Sequence, residues 1–124
     1  MKLAIFILSD PKDGGDDALG RAFNGLGAAA EAKAAGDEVV VAFSGAGTRW
    51  PQEFTKLGHP AKALYEAVKD KVIGVSCGCA EVFGAATTAE ACGLPLLKDH
   101  ALQGTSGIAG MSGWIKKGYT TLVF

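Results

Sequence analysis

Cys77 and Cys79, with only Gly78 between them, are the residues whose type and spacing most clearly point to chemistry. Thiols act as nucleophiles, redox groups or metal ligands, and in each role the thiolate is the reactive form. The apolar stretch Val72 to Val75 runs into Ser76 just before them, and a helical pattern from Ala80 to Ala91 follows. The pair therefore sits where a third strand ends and the next helix begins. A thiol there faces unpaired N–H groups and the positive end of the helix dipole, both of which favour the thiolate. Gly78 lets the backbone bend between the two.

Cys92 reads differently. Its flank, Glu90-Ala91-Cys92-Gly93-Leu94, has the look of a packed helix end. An intact helix from Ala80 would hold it about 20 Å from Cys79, at ~1.5 Å per residue. With three cysteines there is no complete disulfide framework. The apolar run Leu3 to Leu8 is too short for a membrane helix and lacks a small-residue cleavage site. The chain reads as cytoplasmic, where thiols stay reduced and a close pair is catalytic, redox-active or metal-binding rather than structural.

A metal site needs more ligands than two thiols. The only histidines, His59 and His100, stand at no zinc spacing, so no metal is expected. No cofactor motif is present either. Gly45-Ala46-Gly47 lacks the third glycine of a dinucleotide fingerprint, and there is no phosphate-binding Gly-Lys-Ser/Thr loop and no Gly-x-Ser-x-Gly elbow. His59, beside Gly58 and Pro60, reads as a loop residue. His100, after Asp99, is a candidate acid or base reaching a neighbouring site. Asp10 and Arg49, at strand ends, and Gly45, in the loop after the second strand, are candidates to line a pocket.

The elements that must position these residues follow from periodicity. Leu3 to Leu8 and Glu38 to Phe43 read as strands buried on both faces, the mark of a parallel sheet. Between them, Asp16 and Asp17 open a helix whose apolar face is Leu19, Phe23, Leu26 and Ala30, with Gly36 as its stop. Trp50 to Leu57 is a short helix with Pro51 at its first position, and Pro60 to Lys69 is a helix with Ala61, Leu64, Tyr65 and Val68 inward. Leu94 to Leu97 is at best a short edge strand because of Pro95. A last helix is expected from about Ser106 to Lys117, with glycines every third residue, before the final strand Tyr119 to Phe124. Strands alternating with helices imply one α/β domain, residues 1–124, with a three-layer, doubly wound sheet of about five mainly parallel strands. Ligand sites in such sheets lie beyond the carboxyl ends of the strands, which is where Ser9 to Gly15, Ser44 to Arg49 and Ser76 to Cys79 fall.

Composition agrees. The 124 residues carry a net charge of −1, with 48% hydrophobic and 20% charged side chains. That is ordinary globular material, and the balance argues against nucleic-acid or anionic-membrane partners. The 18 glycines are about twice the usual ~7% share.

The order of elements, the stretch Val-Ile-Gly-Val-Ser-Cys-Gly-Cys-Ala from Val72 to Ala80, and the ending from Trp114 to Phe124 resemble the DsrE/DsrF-like family. The likeness covers nearly the whole chain. It implies a flavodoxin-like domain assembled as a homotrimer or homohexamer. It also implies a sulfurtransferase role in an intracellular relay, with sulfur carried as a cysteine persulfide between donor and acceptor proteins. By position, Cys77 or Cys79 matches the sulfur-accepting cysteine. Many members show Cys-Gly-x-Cys or a single cysteine, where this chain has Cys-Gly-Cys. In the expected chemistry the Cys77 thiolate attacks a donor persulfide, and Cys79 releases the sulfur through a disulfide or mixed intermediate. Two other functions fit the residues: a non-catalytic module binding a small ligand or nucleotide in the same pocket, and an oligomeric interaction protein, suggested by the glycine-rich last helix and the apolar terminal strand.

Overall fold

Leu3 to Ile7 and Val39 to Phe43 are the most apolar runs of the chain; both become strands, the first buried throughout and the second buried except at Val40. The computed structural model describes all 124 residues. Its strands are β1 (Lys2–Ile7), β2 (Glu38–Phe43), β3 (Val72–Ser76), β4 (Leu96–Leu97) and β5 (Thr120–Val123). They form one sheet in the order β4-β3-β2-β1-β5, with every pairing parallel. Six α-helices accompany it: α1 (Gly15–Ala34), α2 (Trp50–Phe54), α3 (Lys62–Val68), α4 (Cys77–Val82), α5 (Ala86–Ala91) and α6 (Ser112–Lys116). The expected α/β class is therefore present.

Alternation along the strands divides the core in two. Leu3, Ile5, Ile7, Val39, Val41, Phe43 and Val75 pack on one face against α1 to α5. Ala4, Phe6, Val40, Ala42, Ile73 and Leu97 face the other side, toward Ala109, Met111 and Trp114. Topology explains this imbalance. β1 to β4 step in one direction across the sheet, so right-handed crossovers put all their helices on one face. The last crossover returns from β4 to the far edge beside β1, so α6 is the only helix on the second face, joined there by Ala109 and Met111 of the loop before it. The architecture is three-layered and flavodoxin-like, although the flavodoxin strand order itself is 2-1-3-4-5. In the present order, the chains leaving neighbouring β3 and β4 diverge to opposite faces. The crevice of an open α/β sheet falls where such exits diverge.

Three helices differ from the sequence reading. On α1, Leu26 is buried and Leu19 and Ala30 pack partly buried against the core, but Phe23 does not join that face. The helix buries Ala18, Ala22, Gly25, Leu26, Ala29 and Ala32, and leaves Phe23 44% exposed. Small residues let the helix sit close to the sheet, and a Cβ on Gly25 would come within 3.0 Å of Ile7. The segment from Ala80 to Ala91 is not one helix but α4 and α5, broken at Gly84, whose φ of +70° no helix contains. A distance measured along an intact helix therefore says nothing of Cys92. Nor is there a helix from Ser106. Gly107 has φ +98°, the segment 98–111 is a loop, and α6 begins only at Ser112.

A groove at the diverging strand ends

β3 ends at Ser76 and α4 begins at once with Cys77. Two bonds tie the loop 98–111 to this junction. The Ala109 N–H donates to Ser76 Oγ at 3.0 Å, and the Gly78 N–H donates to the Gly107 carbonyl at 2.8 Å. Gly78 lies within α4 and is not a bend between the cysteines. Its role is close approach: a Cβ there would lie 3.1 Å from both the Gly107 oxygen and Ile108 Cγ2. A two-way backbone bridge between His100 and Ile108, 2.9 Å in each direction, closes the base of the loop. Its tip, Gly104 to Ser106, stands opposite Gly78, Glu81 and Val82. Together they line an open groove of about 490 Å³. The groove occupies the crevice between β3 and β4.

Cys77 is 5% exposed. Its Sγ donates a long hydrogen bond to Glu81 Oε1 at 4.0 Å, one helical turn on. Glu81 is exposed and lines the groove, so the thiol is covered and its carboxylate partner faces solvent. Cys79 is partly exposed, and all three cysteines are free. At about 100° per residue, Cys79 lies roughly 200° around the helix from Cys77, on the other flank. A Cys77–Cys79 disulfide requires that turn to unwind, because the Cβ directions diverge.

The remaining candidates do not join them. Arg49 Nη1 pairs with Asp10 Oδ1 at 3.0 Å, its Nε donates to the Phe83 carbonyl at 3.0 Å, and its guanidinium lies over the Phe83 ring at 5.4 Å. This is a clamp on the turn between α4 and α5. Burial opposes the Asp10 charge, but the Lys12 N–H and the Arg49 guanidinium outweigh it and hold the carboxyl below its ordinary range. Gly45 opens the 3₁₀ turn Gly45–Arg49, where its carbonyl accepts from Thr48 Oγ1 at 2.9 Å. His100 is exposed at the base of the loop, away from the groove-lining tip. His59 lies between helices and packs edge-on against Phe54, with centroids 5.4 Å apart. Of the expected residues, Gly78 lines the groove and Cys77 lies beneath it. Sequence reading missed Glu81, Thr105 and Ser106. Glu81 had a signal, four residues after Cys77 on one helical stripe. Thr105 and Ser106 had none, because a loop brings them in.

No group of three or more His, Cys, Asp or Glu side chains stands where it can hold a metal ion. No helix is long and apolar enough to cross a membrane. No protein-family model matches the chain, no curated protein matches it, and no solved structure matches it.

Proposed function

We propose that this chain is a cytoplasmic cysteine-persulfide carrier of the DsrE/DsrF type, with Cys77 as the carrier and Glu81 as its proton acceptor. The observation that carries this reading is the Cys77–Glu81 contact beside the groove at the diverging strand ends. Loading starts from a donor persulfide, R–S–SH. Glu81 takes the Cys77 proton as the sulfur attacks the donor's outer sulfur. The donor S–S bond breaks, the donor leaves as RS⁻, and the proton returns to it. The products are R–SH and Cys77–S–SH, with no net oxidation. Unloading is the same exchange onto an acceptor thiol. It needs no Cys77–Cys79 disulfide, so it leaves α4 folded.

The test is mass spectrometry after incubation with a low-molecular-weight persulfide. A gain of one sulfur atom is expected in wild type and in Cys79→Ser, and none in Cys77→Ser. No added sulfur on any cysteine overturns the reading.

A binding module remains the second reading, and one observation favours it. The less covered face holds a recess of about 300 Å³ with Phe6, Ile73 and Leu97 at its floor and Trp114, Asp99 and Lys117 among its walls. Gly113 lines it, and a Cβ there meets nothing within 4 Å. Gly113→Leu is expected to fill the recess without disturbing the fold. A ligand whose thermal protection is lost in Gly113→Leu, and kept in Cys77→Ser, supports binding over transfer.

A further inference from the structure

The geometry points to Cys92 as an oxidation site for hydroperoxides, whose sulfenic acid is held by the Tyr65 hydroxyl. This site is separate from the groove and does not depend on the carrier reading. Tyr65 is 1% exposed, and its hydroxyl is buried with no hydrogen-bond partner. Its ring is fixed by Phe54, with centroids 5.0 Å apart, and by Phe43, at 6.3 Å. A buried donor left without an acceptor is costly, and few native structures keep one without a use.

Tyr65 and Cys92 line the same cavity, about 430 Å³ in volume, between α2, α3 and α5. Cys92 is partly exposed, at the carboxyl end of α5, and packs against the core. Lys69 stands on the same wall. Burial, and after it the facing Cys92 sulfur and the Glu66 carboxylate, push the phenol up to about 12. It therefore remains a donor at every physiological pH. The thiol and the phenol are not bonded to each other, and one oxygen atom added to the sulfur supplies the acceptor that the phenol lacks.

The step is Cys92–SH + H₂O₂ → Cys92–SOH + H₂O. The sulfur attacks one peroxide oxygen, an S–O bond forms and the O–O bond breaks. Sulfur gives up two electrons, and the leaving hydroxide takes the thiol proton. The Tyr65 O–H then donates to the new oxygen.

The experiment treats the full chain with hydrogen peroxide, removes the excess with catalase and adds dimedone after timed delays. Cleavage after Glu81 and Glu90 separates Cys92 from the Cys77 and Cys79 peptide. The adduct is expected on Cys92 in wild type and absent in Cys92→Ser. In Tyr65→Phe the lifetime of the sulfenic acid should fall roughly tenfold, the worth of one hydrogen bond from a buried donor. Losing an unpaired buried hydroxyl should leave the melting temperature of Tyr65→Phe at or above that of wild type. Tyr65 ring resonances should also shift on oxidation of wild type and stay fixed in Cys92→Ser. An adduct confined to the Cys77 and Cys79 peptide overturns the assignment. So does an unchanged lifetime in a folded Tyr65→Phe, or a Tyr65 ring that does not respond.

Discussion

At the residue scale, the carrier reading turns on one carboxylate. Glu81→Gln keeps the size and exposure of the side chain and removes its basicity. Persulfide loading of Cys77 should slow about a hundredfold, the low end for a general base. An exposed helical change of this kind should alter stability by no more than about 0.5 kcal/mol. Stopped-flow loading rates beside thermal melts check both, and a loading rate equal to wild type rejects Glu81 as the proton acceptor. Tyr65 gives a second prediction, with a definite sign. Its pKa is raised on folding, to about 12 from the ordinary 10. The neutral phenol thus favours the fold fully below about pH 10, and that advantage is lost as pH rises from about 10 to 12. Denaturant melts across this window should show wild type losing at most about 2 kcal/mol more than Tyr65→Phe. The sequence made Cys77 legible because a strand-end thiol has a readable context. It placed Tyr65 inward correctly, yet said nothing of its orphaned hydroxyl, since a missing partner depends on every neighbouring element.

At the element scale, the clamp of Asp10, Arg49 and Phe83 fixes where α4 ends and α5 begins. The sequence showed Asp10 and Arg49 as strand-end charges of undecided purpose. Their pairing spans 39 residues and closes only when β1 and the 3₁₀ turn are in place. Arg49→Met should cost about 1–2 kcal/mol, the loss of one half-buried ion pair and one bond to a carbonyl. Amide exchange at Phe83 to Ala85 should quicken with it. Asp10 is held below its ordinary range, so the stability it adds is full above about pH 4 and fades as pH falls through its lowered pKa. The difference between wild type and Asp10→Asn should therefore shrink in acid; a constant difference rejects the clamp. Strands were legible because β1 and β2 are continuous apolar runs. Helix limits were less so. Gly84 and Gly107 read as tolerated helix residues until their positive φ angles showed turns.

At the scale of the molecule, the sequence showed a parallel α/β sheet but not the order of its strands, and the order decides where the site lies. Alternating elements fix that crossovers are right-handed, not which edge the last one returns to. Placing β5 beside β1 opens the crevice at β3 and β4 and also leaves the second face thinly covered. The five-residue α6 and the end of the preceding loop, Ala109 and Met111, shield it, and Val40, Ile73 and Leu97 remain half-buried there. Ile115 on α6 is 58% exposed and Val123 on the edge strand β5 is 57% exposed. Large side chains left in water around an incompletely covered sheet face suit burial against further copies. The carrier reading accordingly includes a homo-oligomer. Light scattering should give three or six times the 12.6 kDa chain mass. Ile115→Glu puts a charge on an already exposed position, so the monomer should fold as before while the assembly dissociates toward 12.6 kDa. A wild-type protein that scatters as a strict monomer at high concentration removes the oligomer from the reading and leaves the Cys77 chemistry to be judged by its own test.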